Sequence, residues 1–152
     1  MSFADLPLSP LALKAVDDLG YEDPTPVQKQ AIPLVIEGRD IVAAAKTGTG
    51  KTAAFSLPAM DRLGHGSKGE GPLMLVVTPT RELAQQIFEV AEVVGRHTHH
   101  RVGCVVGGVS LEPQIAAIRK GVDVLVATPG RLIDLMNQRA VSLSSVDRKS
   151  VV

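Results

Sequence analysis

Residues 41–52 read IVAAAKTGTGKT, and the reading of this stretch decides the fold. The apolar run that opens it predicts a buried strand, small residues make a turn, and Lys51 and Thr52 stand where a helix should begin. Strand, glycine-rich turn and helix in that order lay out a phosphate-binding loop. Gly48 and Gly50 free the backbone to curl, so that successive N–H groups and the positive end of the next helix can converge on one anion. Lys51 would set a point charge on the outer phosphates, and the Thr52 hydroxyl would serve a magnesium ion. The usual pattern opens with glycine at the position Ala45 holds here. The blander reading of the same residues is an ordinary glycine-rich turn between a strand and a helix.

The 152-residue chain is long enough for one domain with a core of its own. It is 45% apolar and 21% charged, as a soluble globular protein should be. Sixteen basic side chains offset sixteen acidic ones, so no global positive field points to nucleic acid, and any such contact must come from loops and helix ends. The first residues, MSFADLPLSP, lack a signal-peptide layout, and no apolar run approaches the ~18 residues of a membrane span. A cytoplasmic protein with no membrane partner is expected. The sole cysteine, Cys104, excludes an internal disulfide and reads as a buried, inert thiol.

Outward from the loop, the chain alternates. Ser9-Pro10 and Thr25-Pro26 each give a cap followed by a proline at the first helical position, with Ala12, Val16 and Leu19 as the inner face of the first helix. Gly20 should end that helix, Pro33 should interrupt or kink the second, and Gly38 should close it. A strand over 40–45 leads into the loop, and a helix from Gly50 towards Leu63 follows, bent near Pro58. GHGSKGEGP (64–72) has the composition of a surface loop. Strands are predicted at 73–77, 102–106 and 122–127, each followed by a helix, at 81–95, 111–120 and 131–137. Such alternation predicts βαβ units and a parallel sheet covered on both faces, with ligands beyond the carboxyl ends of the strands.

Three loops that follow strands share a design: Thr78-Pro79-Thr80-Arg81-Glu82, Val106-Gly107-Gly108 and Thr128-Pro129-Gly130-Arg131. Small or hydroxyl residues, twice with an arginine, offer backbone N–H groups and guanidinium donors to phosphates. Singly, each could be an ordinary capped connection. The histidines His97, His99 and His100 lack cysteines or carboxylates at ligand spacing, so a solvated turn is expected there rather than a metal site.

Taken in this order, the segments resemble the first RecA-like domain of the DEAD-box RNA helicases, collinearly from Phe3 to about Val146. AAAKTGTGKT (43–52) is similar to that family's motif I, which characteristically begins with alanine, as Ala45 does here. GYEDPTPVQ (20–28) looks like the Q motif, PTRELA (79–84) like motif Ia, and Gly107-Gly108 and TPGR (128–131) like the GG and Ib motifs. The resemblance implies an α/β fold, a RecA-like P-loop domain with a parallel sheet flanked by helices. It also implies ATP with Mg2+ as cofactors, held by Ala45, Lys46, Thr47, Gly48, Thr49, Gly50, Lys51 and Thr52, with Thr52 towards the magnesium. Gln28 would select adenine, because an amide can accept from N6 and donate to N7 at once. The family places an adenine-stacking aromatic seventeen positions before the Q motif, and that position is Phe3, which could otherwise anchor the first helix in the core. Pro79, Thr80, Arg81, Gly108, Thr128, Pro129, Gly130 and Arg131 would follow the sugar-phosphate backbone of RNA, largely without regard to sequence. Glu82 would be a structural partner, since a carboxylate beside phosphates repels them. Aromatic residues make up 3% of the chain, which argues against a base-stacking platform.

A motor of this type also needs an apolar strand ending in Asp-Glu-Ala-Asp, yet the dipeptide Asp-Glu does not occur in the chain. No catalytic residue is therefore expected in it. After Ser142–Val146 the sequence reads DRKSVV, where a charged triplet breaks the apolar run the resemblance leads one to expect. Residues 1–152 are thus expected to be a partial helicase ATP-binding domain, with a Q-motif region at 3–28 and a truncated or non-native tail at 147–152. The second RecA-like domain, with its arginine finger, is expected to be missing from this chain. The expected function is the ATP- and RNA-binding portion of an ATP-dependent RNA helicase, catalytically incompetent by itself. A non-catalytic nucleotide- or RNA-binding module is the alternative, and a P-loop kinase or small transferase a remoter one.

Overall fold

The computed structural model describes residues 2–39, 41, 50–65 and 71–151. The expected strand at 40–45, apart from Ile41, and the loop positions Ala45, Lys46, Thr47, Gly48 and Thr49 lie outside the described residues. The chain forms two compact units, one of residues up to Arg62 together with Val90–His99, the other of Leu63–Glu89 together with His100 onward.

In the first unit a single 3-10 turn, Phe3–Asp5, precedes helices α1 (Pro10–Asp18), α2 (Pro26–Ile36) and α3 (Lys51–Arg62). Ser9 caps α1, its hydroxyl accepting from the Ala12 N–H at 3.4 Å. The Ser9 N–H also donates to the Asp61 carboxylate at 2.9 Å, which fastens the start of α1 to the last turn of α3. Ala12, Ala15 and Val16 form the buried stripe of α1, while Leu19 is half-buried. Gly20 and Gly38 end α1 and α2 with φ of +76° and +80°, the left-handed conformation glycine adopts without strain.

Pro33 does not interrupt α2, which runs on to Ile36. A proline inside a helix costs about 3 kcal/mol through the lost hydrogen bond and the ring clash. Ending the helix there would uncover Ile32 and Val35, both buried and each worth about 1.5–3 kcal/mol. Burial on the side where α2 packs along α3 therefore decides the matter. The same holds for Pro58 in α3, which lies between the fully buried Leu57 and Met60.

The second unit is built on a parallel sheet of β1 (Met74–Val77), β2 (Val102–Val105), β3 (Val124–Ala127) and β4 (Arg148–Val151), in the order β2-β3-β1-β4. Helices α4 (Arg81–Thr98), α5 (Leu111–Lys120) and α6 (Pro129–Asn137) follow β1, β2 and β3 in turn. β3 is buried at all four positions, as a central parallel strand should be. Leu75, Val105, Leu125, Ala127, Leu132 and Leu135 make the core beneath it, with Leu111, Ile115 and Ile118 of α5 packed against it.

Strand β4 was not legible in the sequence. Residues expected to be a tail pair with β1 in register, Met74 with Arg148 through Val77 with Val151, and the Asp147 N–H donates to the Leu73 carbonyl at 2.7 Å. Its burial alternates, with Arg148 and Ser150 half-buried and Lys149 and Val151 exposed.

Candidate nucleotide and nucleic-acid sites

In the first unit the Q-like segment is wired to the start of α3. Thr25 and Gln28 form a reciprocal capping box on α2: the Gln28 N–H donates to the Thr25 hydroxyl at 3.4 Å, and the Thr25 N–H to Gln28 Oε1 at 2.9 Å. The other end of the same amide, Gln28 Nε2, donates to the Gly50 carbonyl at 3.2 Å. That carbonyl also accepts from the Ala54 N–H in the first turn of α3. Gly50 has φ +83°, and a Cβ there would lie 2.3 Å from Gln28 Nε2. Glycine is thus required at Gly50 for two reasons, its backbone angle and the approach of Gln28.

Gln28 is 2% exposed, so its unused hydrogen-bonding capacity can be counted. A primary amide carries two N–H donors and two acceptor lone pairs. One of each is committed internally, which leaves one donor and one acceptor, the complement that adenine N7 and N6 require. At the N-terminus of α3, Lys51 and Thr52 are half-buried and the first turn contains no acid to cancel the helix dipole. Phe3 is 3% exposed, with its ring 6.2 Å from that of Tyr21 and tilted by 22°. The ring thus anchors the N-terminal segment in the core, whatever else it does. Burial pushes the Tyr21 phenol above its ordinary range.

In the second unit, the parallel directions of β1, β2 and β3 send their following loops to one edge of the sheet. After β1, Thr80 caps α4, its hydroxyl accepting from the Leu83 N–H at 3.2 Å, and Pro79, Thr80 and Arg81 are exposed. Glu82 is exposed in the first turn of α4, where a negative charge complements the helix dipole. The Thr78 hydroxyl at the head of this loop is buried and has no hydrogen-bond partner among the described residues. After β2, Gly108 has φ +80°, and a Cβ on it would lie 2.8 Å from Arg81 Nη1. The guanidinium of the first loop therefore rests against the backbone of the second.

After β3, Thr128 precedes α6 without capping it through its side chain, and Pro129 and Gly130 are exposed. Arg131 is the exception, with a side chain only 11% exposed. Its Nη1 donates to Gln114 Oε1 at 2.9 Å and its Nη2 to the Val109 carbonyl at 3.0 Å, while Gln114 Nε2 donates to the Val106 carbonyl at 3.1 Å. The sequence reading missed Gln114 altogether. Its signal was a polar amide on the inward stripe of α5, beside Leu111, Ile115 and Ile118 at helical spacing.

The histidines separate into different roles. His97 pairs with Asp18 at 3.1 Å and His99 is exposed with φ +62°. His100 is not solvated as expected: it is buried, with its Nε2 donating to the Leu63 and Gly64 carbonyls at 3.2 and 3.1 Å. No cluster able to hold a metal ion occurs among the described residues. Cys104 is half-buried, and burial raises its thiol above the usual range.

Comparison with known proteins gives this arrangement its class. The DEAD/DEAH box helicase family matches residues 25–152, and the chain belongs to that family. It is 48% identical over 139 residues to the DEAD-box ATP-dependent RNA helicase RhpA of Helicobacter pylori, covering 91% of this chain and 28% of that one. It is 43% identical over 152 residues to the human probable ATP-dependent RNA helicase DDX23, covering 94% of this chain and 18% of the relative. Among solved structures, a hypothetical ATP-dependent RNA helicase from Sulfolobus tokodaii superposes with a TM-score of 0.83 at 37% identity, over 95% of this chain and 41% of the other. The chain thus spans less than a third of the length of these curated relatives.

Proposed function

We propose that this chain is the ATP- and RNA-binding portion of an ATP-dependent RNA helicase, able to hold nucleotide but not to turn it over alone. The observation that carries this reading is the Gln28 amide, bonded to the Gly50 carbonyl at the threshold of α3 with one donor and one acceptor to spare. The donor set of Gln28 fits ATP: Gln28 would read the adenine edge, with Phe3 as the aromatic for the base, Ala45, Lys46, Thr47, Gly48, Thr49 and Gly50 would hold the phosphates, Lys51 would add charge, and Thr52 would hold the magnesium ion. When bound, that ion supplies charge neutralisation between the outer phosphates.

RNA follows the loops at the carboxyl edge of the sheet. Pro79, Thr80 and Arg81 supply backbone and guanidinium donors, Gly108 lets a phosphate approach closely, and Thr128, Pro129 and Gly130 continue the track, with Arg131 beneath it. Contacts to the backbone alone make this recognition indifferent to sequence. No described helix is long and apolar enough to cross a membrane; the cytoplasmic location expected from the sequence is part of this proposal.

The Asp-Glu pair that would position magnesium and the attacking water does not occur among these 152 residues. The purified chain should therefore show no RNA-stimulated ATP hydrolysis above background in a phosphate-release assay. Turnover that disappears in Lys51→Ala would refute the assignment.

A further inference from the structure

We infer that Gln114, a residue of α5 outside every motif described above, is a positioning residue that shapes the Gly107-Gly108 loop for a phosphate backbone. The inference rests on the RNA track proposed above. Among the described residues no buried apolar side chain anchors positions 107–110 of that loop. Gly107, Gly108, Val109 and Ser110 are all exposed, with Val109 at 48%, a Cβ on Gly107 would meet no atom within 4 Å, and the Ser110 side chain makes no capping bond. What holds it is a bracket of two carbonyls. Val106 O, where β2 ends, accepts from Gln114 Nε2, and Val109 O, at the far side of the glycine pair, accepts from Arg131 Nη2. Gln114 closes the bracket by accepting from Arg131 Nη1, so one amide both fixes the near end of the loop and aims the guanidinium that fixes the far end.

The donor count supports this division of labour. A guanidinium has five N–H groups. Two of those on Arg131 are spent on Gln114 and Val109, and its Nε is buried without a hydrogen-bond partner among the described residues, 4.0 Å from an Asp134 carboxylate oxygen. One N–H on each terminal nitrogen remains, and Gln114 determines where those two point. Removing the amide should leave the core of α5 intact while releasing the loop. Affinity falls in proportion to the fraction of molecules whose loop is correctly shaped, so a tenfold drop in that fraction is a tenfold loss of affinity.

The test compares the unsubstituted chain with Gln114→Met, which keeps the shape of the side chain but makes neither bond, and Gln114→Glu, which keeps the acceptor towards Arg131 and loses the donor towards Val106. Melting, amide exchange at 107–110 and affinity for a single-stranded uridine decamer are measured on each. The expected result is a near-native melt for Gln114→Met, with exchange faster and affinity weaker by about tenfold, and intermediate values for Gln114→Glu. Magnesium-ADP affinity should stay unchanged in both, which a general loosening of the fold would not allow. Native exchange and native RNA affinity in Gln114→Met overturn the inference. If Gln114→Met fails to fold, Gln114→Glu decides, and native values there overturn it as well. Failure of the unsubstituted chain to bind the decamer overturns the RNA track and this inference together, and is recognised because it needs no substitution.

Discussion

Gly50 and Gly108 look alike in the sequence, yet an added Cβ meets a different obstacle at each. At Gly50 it would strike the buried Gln28 amide, which has nowhere to go because both its ends are bonded. Gly50→Ala should combine about 1–2 kcal/mol of left-handed backbone strain with loss of the Gln28 bond, lowering the melting temperature and weakening ADP together. At Gly108 the obstacle is the far end of the Arg81 side chain, which can swing aside. Gly108→Ala should therefore cost only the backbone strain, about 1–2 kcal/mol by thermal melting, while leaving ADP affinity untouched.

His100 makes a pH prediction at the same scale. Burial is the main influence lowering its pKa below the ordinary value, and the neighbouring His65, stacked at 4.5 Å, adds to it, while the Gly64 and Leu63 carbonyls and Asp123 oppose it. The unfolded chain thus binds a proton at His100 more readily than the folded one. Stability from this site is present above the unfolded value of about 6.5 and declines as pH falls below it towards the folded value. Melting followed from pH 7.5 to 5.5 should show a fall that is reduced in His100→Gln. An identical pH dependence in the variant would exclude His100 as its source.

Among the elements, the ones written in local chemistry were the ones that could be read. Ser9-Pro10 and Thr25-Pro26 placed the starts of α1 and α2, the range 111–120 matched α5 at both ends, and the apolar β-branched runs found β1, β2 and β3. What escaped was decided by partners distant in the chain. Helix α2 survives Pro33 because it packs along α3 with Ile32 and Val35 buried, and β4 exists because β1 offers a ladder to residues whose composition argues for no strand at all. The candidate site divides in the same way. Gln28, Gly50 and the three loops were visible as motifs, whereas the Gln28–Gly50 bond and the Gln114 bracket join residues whose separation carries no pattern.

The importance of β4 can be measured directly. Removing the residues after Val146 takes away the partner of Met74–Val77 on that side. With four paired positions between β1 and β4 at roughly 1 kcal/mol each, the shortened chain should lose about 4 kcal/mol. It should also self-associate through the uncovered edge in sedimentation velocity. An equally stable monomer would mean that β4 contributes nothing to the fold.

For the molecule as a whole, the family is shown by similarity over nearly the whole chain, while the function proposed for the chain rests on two proposed sites of different kinds. The first would be an adenine and phosphate site on the Q-like segment and the head of α3, the second a phosphate track along the edge of a parallel sheet. The central claim is that the first of these forms within these 152 residues. Titration of the purified chain with magnesium-ADP and magnesium-GDP tests it most directly, with Gln28→Ala and Lys51→Ala as variants. The account predicts saturable binding that favours ADP, a preference for adenine that falls by about 10- to 100-fold in Gln28→Ala as its two bonds are lost, and weak binding of either nucleotide in Lys51→Ala. Equal affinity for the two nucleotides, or binding indifferent to Gln28, would contradict it.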